Sequence, residues 1–327
     1  MQWDGPVTWG SGIGVGGKGM TRMDPAATRG AVVAGYDGSE PARRAARWAV
    51  LEAALRRRPL LLVAAFSPPR FHPRFTTGTP TSKDVEQLRQ HVEESLQAIA
   101  EECRRSAPGV EVHTVAVMEH PVTALTRHAE DAELLVVGAS GATALRRLTL
   151  GSTTSALVRH VQRPVVVVRD TPDDTTERRR VLVGVDEDPS TDAAVGFAFD
   201  FASRHGYDLQ VVHVWNDLPF DALAPVRLWD FDWKQVNEQA TRLLTESVSG
   251  WQERYPEVRF ETENIASGHP AAVLLERSSE AALLVVGSHH TPLERALIGS
   301  VSHAVLHHAS CPVAVVRSGA APDDTSG

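Results

Sequence analysis

The chain has 327 residues, enough for about two domains, and its 42% hydrophobic and 23% charged content is that of an ordinary globular protein, not a disordered one. Its longest apolar runs, such as Leu60 to Phe66, reach about a third of the ~20 residues a membrane-spanning helix needs, and no basic-then-apolar leader opens the sequence, so no membrane role is expected. With 33 Lys and Arg against 41 Asp and Glu the net charge is −8, which disfavours a nucleic-acid partner, and two cysteines are too few for a disulfide framework, which points to a reducing cytoplasm.

Residues 1–29 read as a flexible, glycine-rich lead without apolar periodicity, and Met20 or Met23 would serve as an alternative start. The lead contains Gly12-x4-Gly17-Lys18, most of a phosphate loop. A working loop needs a strand before it, a helix after it and a hydroxyl after the lysine; here Gly19 follows, so the string carries no chemistry.

From residue 30 to 170 short Val- and Leu-rich runs alternate with helical patterns. The runs at 31–36, 60–66, 110–117, 133–138 and 164–169 suit strands covered on both faces, as in a parallel sheet. Between them, Val85, Leu88, Val92, Leu96, Ile99 and Cys103 step by three or four and predict one buried stripe on a long helix. A Pro-, Asp- and Arg-rich linker over 171–179 separates this unit from a second, 180–318, and a short tail closes the chain at 319–327.

The second unit repeats the first. VVAGYDGSEPARRAARWA at Val32 returns as VLVGVDEDPSTDAAVGFA at Val181, and LLVVGASG at Leu134 returns as LLVVGSHH at Leu283, each 149 residues later. The pair His120-Pro121 recurs as His269-Pro270, and the stripe recurs as Val236, Ala240, Leu244, Val248, Trp251 and Tyr255. Between RPVVVVR at Arg163 and CPVAVVR at Cys311 the offset is 148, so one residue is missing between Gly287 and Gly299. A period this long is a domain, not a solenoid repeat of about 20–50 residues. Strand alternating with helix five times gives two tandem α/β units.

Open parallel sheets bind ligands beyond the carboxyl ends of their strands, so the residues after each strand carry the chemistry. After the first comes Asp37; after the fourth comes Gly138-x2-Gly141-x9-Gly151, followed by Ser152, Thr153 and Thr154. Glycines let backbone N–H groups approach a ligand, and hydroxyl residues opening a helix offer free N–H groups and a positive dipole end to a phosphate. Asp37 also reads as a helix cap, a role compatible with ligand contact.

These residues resemble the universal stress proteins, in tandem, from about Gly30 to Arg317. The family's nucleotide motif is G-x2-G-x9-G followed by Ser or Thr, and the first copy matches it in full, with the strand-one Asp, the GSTT run and the closing RPVVVV strand beside it. The resemblance implies two open-twisted parallel five-stranded sheets in the order 3-2-1-4-5, helices on both faces, in the adenine nucleotide α-hydrolase-like class. It implies ATP as ligand, accompanied by Mg2+. Carried over, Gly35 and Asp37 face adenine and ribose, Ala65 offers backbone to the adenine, Gly138 and Gly141 approach ribose and phosphates, and Gly151, Ser152, Thr153 and Thr154 hold the phosphates. It also implies pairing of the two copies through their last strands, an intramolecular pseudo-dimer able to dimerise again. The family often has a basic or imidazole side chain between the first two glycines; here Ser140 stands there, and Arg146 and Arg147 are the nearby cations.

The second copy departs further. The corresponding pocket would use Asp186, Val214, Gly287, Gly299 and Ser300, but His290 replaces the second glycine in a loop one residue short. If that position needs φ > 0 a side chain fits poorly, so weaker binding and about one tightly held nucleotide per chain are expected.

Other candidates reduce to packing. His303 and His307 share a helix face, yet with His289, His290 and His308 they form no closed ligand set, so no metal is expected. Cys103 and Cys311 read as small buried hydrophobes, and Trp229 and Trp233 as packing residues. No nucleophile–base set emerges. The favoured function is ATP-binding regulation of a stress response through occupancy and domain pairing, not turnover. The alternatives are an association scaffold with empty pockets and a weak ATP-hydrolysing or autophosphorylating enzyme. The related hydrolases carry an SGGxDS-like loop after the first strand, and GYDGSEPA lacks it.

Overall fold

The computed structural model describes residues 29–67, 81–141, 150–169, 178–188, 190–215, 233–288 and 299–318, without the side chains of 215, 233–237, 240 and 243. The first half runs β1 (Val32–Gly35), α1 (Glu40–Arg56), β2 (Leu60–Phe66), α2 (Ser82–Ser106), β3 (Val112–Met118), α3 (Pro121–Ala129), β4 (Leu134–Gly138), α4 (Ser152–His160) and β5 (Val165–Val168). The second repeats it as β6 (Arg180–Val185), α5 (Ser190–His205), β7 (Asp208–Trp215), α6 (Trp233–Arg254), β8 (Phe260–Ala266), α7 (Pro270–Arg277), β9 (Leu283–Gly287), α8 (Ser300–His308) and β10 (Val313–Val316).

Each half has the order 3-2-1-4-5 with parallel neighbours, but the two sheets are one. The full order is β3-β2-β1-β4-β5-β10-β9-β6-β7-β8. The join is antiparallel, with Val313 opposite Val167, Ala314 opposite Val166 and Val315 opposite Val165. All four residues of β5 and all four of β10 are buried, so neither strand is left as an open edge.

Two apolar layers flank the sheet and both cross the join. One packs α1, α2, α5 and α6 against the sheet through residues such as Ala49, Leu96, Phe199 and Val248; the other packs α3, α4, α7 and α8 through Leu125, Leu157, Leu274 and Leu306. The predicted stripe on α2 is buried only in its second half: Leu96, Ile99 and Cys103 are buried, while Val85, Leu88 and Val92 are half-exposed. In the second copy Leu244 and Val248 are buried, Trp251 and Tyr255 partly so, and Val236 and Ala240 lie outside the described side chains. Both cysteines are buried, and burial pushes the thiol of Cys103 up to about 11 and that of Cys311 up to about 12.

Where the two halves meet, α1 faces α5. Trp48 stacks on Phe201 with ring centroids 6.1 Å apart. Beside them lies a buried charge cluster. Arg56 pairs with Glu52 on its own helix, with Glu133 at 2.7 Å and, across the seam, with Asp200 at 3.3 Å, while His205 reaches Glu52 at 2.9 Å. No helix among the described residues is long and apolar enough to cross a membrane.

Candidate functional site

The loops after β1 and β4 open a cavity of about 370 Å³ at the switch point of the first half. Val63, Leu125, Val137 and Leu150 give it apolar lining suited to a flat ring, and Asp37, Ser140, Ser152 and Thr153 give it polar lining. Every residue singled out in the first copy lines it: Gly35, Asp37, Ala65, Gly138, Gly141, Gly151, Ser152, Thr153 and Thr154. Among the described lining residues the one charged group is the Asp37 carboxylate. Tyr36, Pro121, Leu125 and Leu150 were not read from the sequence as site residues. The repeated His-Pro pair was the available signal, since Pro121 opens α3 with His120 as its cap.

The helix after β1 is capped by Ser39, not Asp37: the Ser39 hydroxyl accepts the Ala42 N–H. Asp37 takes a different part. Its Oδ1 accepts the backbone N–H of Ser39 at 3.0 Å and the Ser39 hydroxyl, which orients the carboxylate at the end of β1.

The three motif glycines serve three purposes. None has positive φ, so the condition under which a side chain at the second-glycine position would fit poorly is not met in the first copy. A Cβ at Gly138 would come within 2.7 Å of the Pro41 backbone, so β4 and α1 can meet only over a glycine. At Gly141 a Cβ would approach Asp37 Oδ2 at 2.7 Å. Around Gly151 a Cβ would find ordinary contacts at 3.5 Å and beyond. Gly151 is instead the cap of α4, its N–H bonded to Ala139 O at 2.8 Å and its side tied to no capping group.

Ser152 is exposed and Thr153 half-buried at the first turn of α4, whose unpaired N–H groups and dipole favour an anion. Thr154 differs from its expected role. Its buried hydroxyl donates to Gly138 O at 2.8 Å and clamps α4 to β4 rather than facing a phosphate.

The second half keeps the scaffold with altered chemistry. Ser302 donates to Gly287 O at 2.9 Å, as Thr154 does to Gly138. Gly287 lies against Ser190, whose Oγ would sit 2.3 Å from a Cβ there. Asp186 Oδ1 accepts the Thr191 hydroxyl at 2.8 Å and the Asp188 N–H at 3.0 Å. Val214 stands where the first half has Ala65, and Gly299 caps α8, which begins at Ser300. His289 and His290 lie outside the described residues, as do Arg146, Arg147, Trp229 and the phosphate-loop-like string of the lead. The His303 and His307 rings lie 4.4 Å apart on α8, and among the described residues no three metal-binding side chains converge.

Comparison with known proteins matches the universal stress protein family to residues 29–169 and again to 177–317. A universal stress protein of Mycolicibacterium smegmatis is 35% identical over 299 residues, covering 90% of this chain and 99% of its own. One from Mycobacterium tuberculosis is 37% identical over 297 residues, covering 88% and 96%. Among solved structures, a universal stress protein from Archaeoglobus fulgidus superposes with a TM-score of 0.66 at 17% identity, covering 89% of this chain and 99% of its own, a likeness of fold.

Proposed function

The chain belongs to the universal stress protein family, and from that premise we propose that its first half holds an adenine nucleotide, ATP with Mg2+, and that the protein regulates by occupancy. The observation that carries this reading is the single cavity joining an apolar slot, the Asp37 carboxylate and the open first turn of α4. The base fits between Val63, Leu125 and Val137; Asp37 accepts from a ribose hydroxyl; Gly141 leaves room for the sugar–phosphate backbone; and the N–H groups at Ser152 and Thr153 face the phosphates. The cavity, at about 370 Å³, lies at the small end of the 300–1,000 Å³ usual for such ligands. Magnesium keeps most of its water and binds chiefly through phosphate oxygens, so it needs no carboxylate cage of its own.

Mass spectrometry of nucleotide retained by the untreated protein tests the ligand, and calorimetry with ATP, AMP and cyclic AMP ranks the alternatives. ATP at 100 times its Kd adds about 2.7 kcal/mol to stability. About one nucleotide per chain is expected. A chain that retains none and whose Tm no adenine nucleotide raises would be the scaffold instead.

A further inference from the structure

The helix that presents its N-terminus to the cavity is gripped at its other end by the opposite half of the molecule. Because β10 runs antiparallel to β5, its exit passes the start of β5, close to where α4 ends. Arg317, the next residue, is buried there, and its Nη2 donates to Val158 O at 2.8 Å and to Arg159 O. These are two of the last carbonyls of α4, which lack partners within the helix. Arg169 makes the mirror contact, donating from the end of β5 to Leu306 O on α8.

We infer that Arg317, a residue of the second half, is a positioning residue for the nucleotide site of the first. The inference rests on the proposed nucleotide site and adds to it a second-half requirement. Helix α4 has only nine residues, a length that is marginal without tertiary support. Two contacts fix its ends: Thr154 to Gly138 beside the cavity, and Arg317 at the far turn. A cation at the C-terminus and an anion at the N-terminus both favour the same helix dipole, so phosphate binding and the Arg317 contact support each other. Without Arg317 the last turn frays, and the N–H groups at the first turn lose their fixed aim. The same arginine is tied to the second half's switch point, because Val316 beside it accepts the Ser288 N–H at 3.0 Å. The second half thus completes the first site without touching the ligand.

The test uses the full chain and ATP with magnesium. Arg317→Met is expected to weaken ATP five- to tenfold, with Arg317→Lys between it and the wild type. Arg169→Met removes the twin contact at α8 and is expected to leave ATP affinity within twofold. Hydrogen exchange should quicken at amides 155–161, which are bonded within α4, in Arg317→Met and not in Arg169→Met. Equal weakening by the two variants, or no weakening by Arg317→Met with unchanged exchange at 155–161, overturns the inference. If Arg317→Met does not fold, Arg317→Lys against Arg169→Lys decides on the same criteria. A wild type that takes up no nucleotide overturns the proposed function, and the exchange comparison still decides whether Arg317 holds α4 in place.

Discussion

Asp37 and Gly141 adjoin in the cavity lining, with the carboxylate Oδ2 only 2.7 Å from where a Cβ at position 141 would stand. The obstacle is the tip of a side chain, which can swing aside. Gly141→Ala should therefore fold normally, within about 0.5 kcal/mol of the wild type as for ordinary surface changes, but displace the carboxylate from the ribose. Nucleotide affinity should fall at least tenfold in calorimetry, and Asp37→Asn should fall with it. Unchanged affinity in both variants would remove Asp37 from the site.

Gly138→Ala is the opposite case. The added methyl meets the Pro41 carbonyl carbon and oxygen at 2.7 and 2.8 Å, and backbone cannot swing aside. Overpacking of this kind costs about 1–3 kcal/mol, so urea denaturation should show the loss with or without nucleotide. Gly151→Ala should be tolerated by the fold, given ordinary contacts at 3.5 Å. One motif thus separates into a packing glycine, a cavity-side glycine against Asp37 and a permissive one.

Thr154→Val keeps the shape of a residue read from the sequence as a phosphate holder. In the structure its hydroxyl satisfies the Gly138 carbonyl, and both are buried. Removing the donor strands that carbonyl and should cost about 1–3 kcal/mol. Stability in nucleotide-free protein should drop by that amount; a loss of affinity without loss of stability would return the hydroxyl to the phosphates.

The sheet was legible in the sequence because strands covered on both faces read as short, near-continuous, Val-rich apolar runs, such as Leu134–Gly138 and Val165–Val168, recurring between helical patterns. The last-strand pairing followed from the resemblance and from the need to cover two such edges. What stayed hidden depends on contacts far apart in the chain. Nothing near Gly138 announces Pro41, and nothing near Thr154 shows that its hydroxyl turns inward. Ser39, two residues beyond Asp37, displaced it as the cap. Glu52 and Arg56 carry no local sign of burial, and Glu133 together with Asp200 and His205 of α5 closes around them. Arg169 and Arg317, which follow the apolar runs of β5 and β10, give no local sign of reaching helices in the other half.

The buried cluster sets a pH dependence. Burial opposes ionisation of Glu52, but the charge of Arg56 and hydrogen bonding with His205 outweigh it and hold the carboxyl below the ordinary carboxylate range. A carboxyl whose folded pKa lies below its unfolded value near about 4.3 contributes its stability fully above about pH 5 and loses it as pH falls toward the folded value. Denaturation midpoints should decline from about pH 5 to pH 3, and Glu52→Gln should start lower at neutral pH and decline less. Asp200→Ala, which removes one of three carboxylates around Arg56 and the partner of Arg204, should cost about 1–3 kcal/mol.

The halves should not behave as independent monomers. Residues 29–169 alone would expose the inner edge of β5, whose partner residues Val313, Ala314 and Val315 lie in the other half. They would also uncover Trp48, which stacks on Phe201, and leave Arg56 without Asp200. An unpaired apolar strand edge beside uncovered aromatic surface is an association site. Expressed separately, each half should therefore form a dimer through its own last strand, or aggregate, and the two mixed halves should reassemble into a one-to-one complex. Light scattering coupled to size exclusion reads the result directly. A first half that stays monomeric at high concentration, with its full set of slow-exchanging amides in β5, would mean that the β5–β10 join contributes little to holding this molecule together.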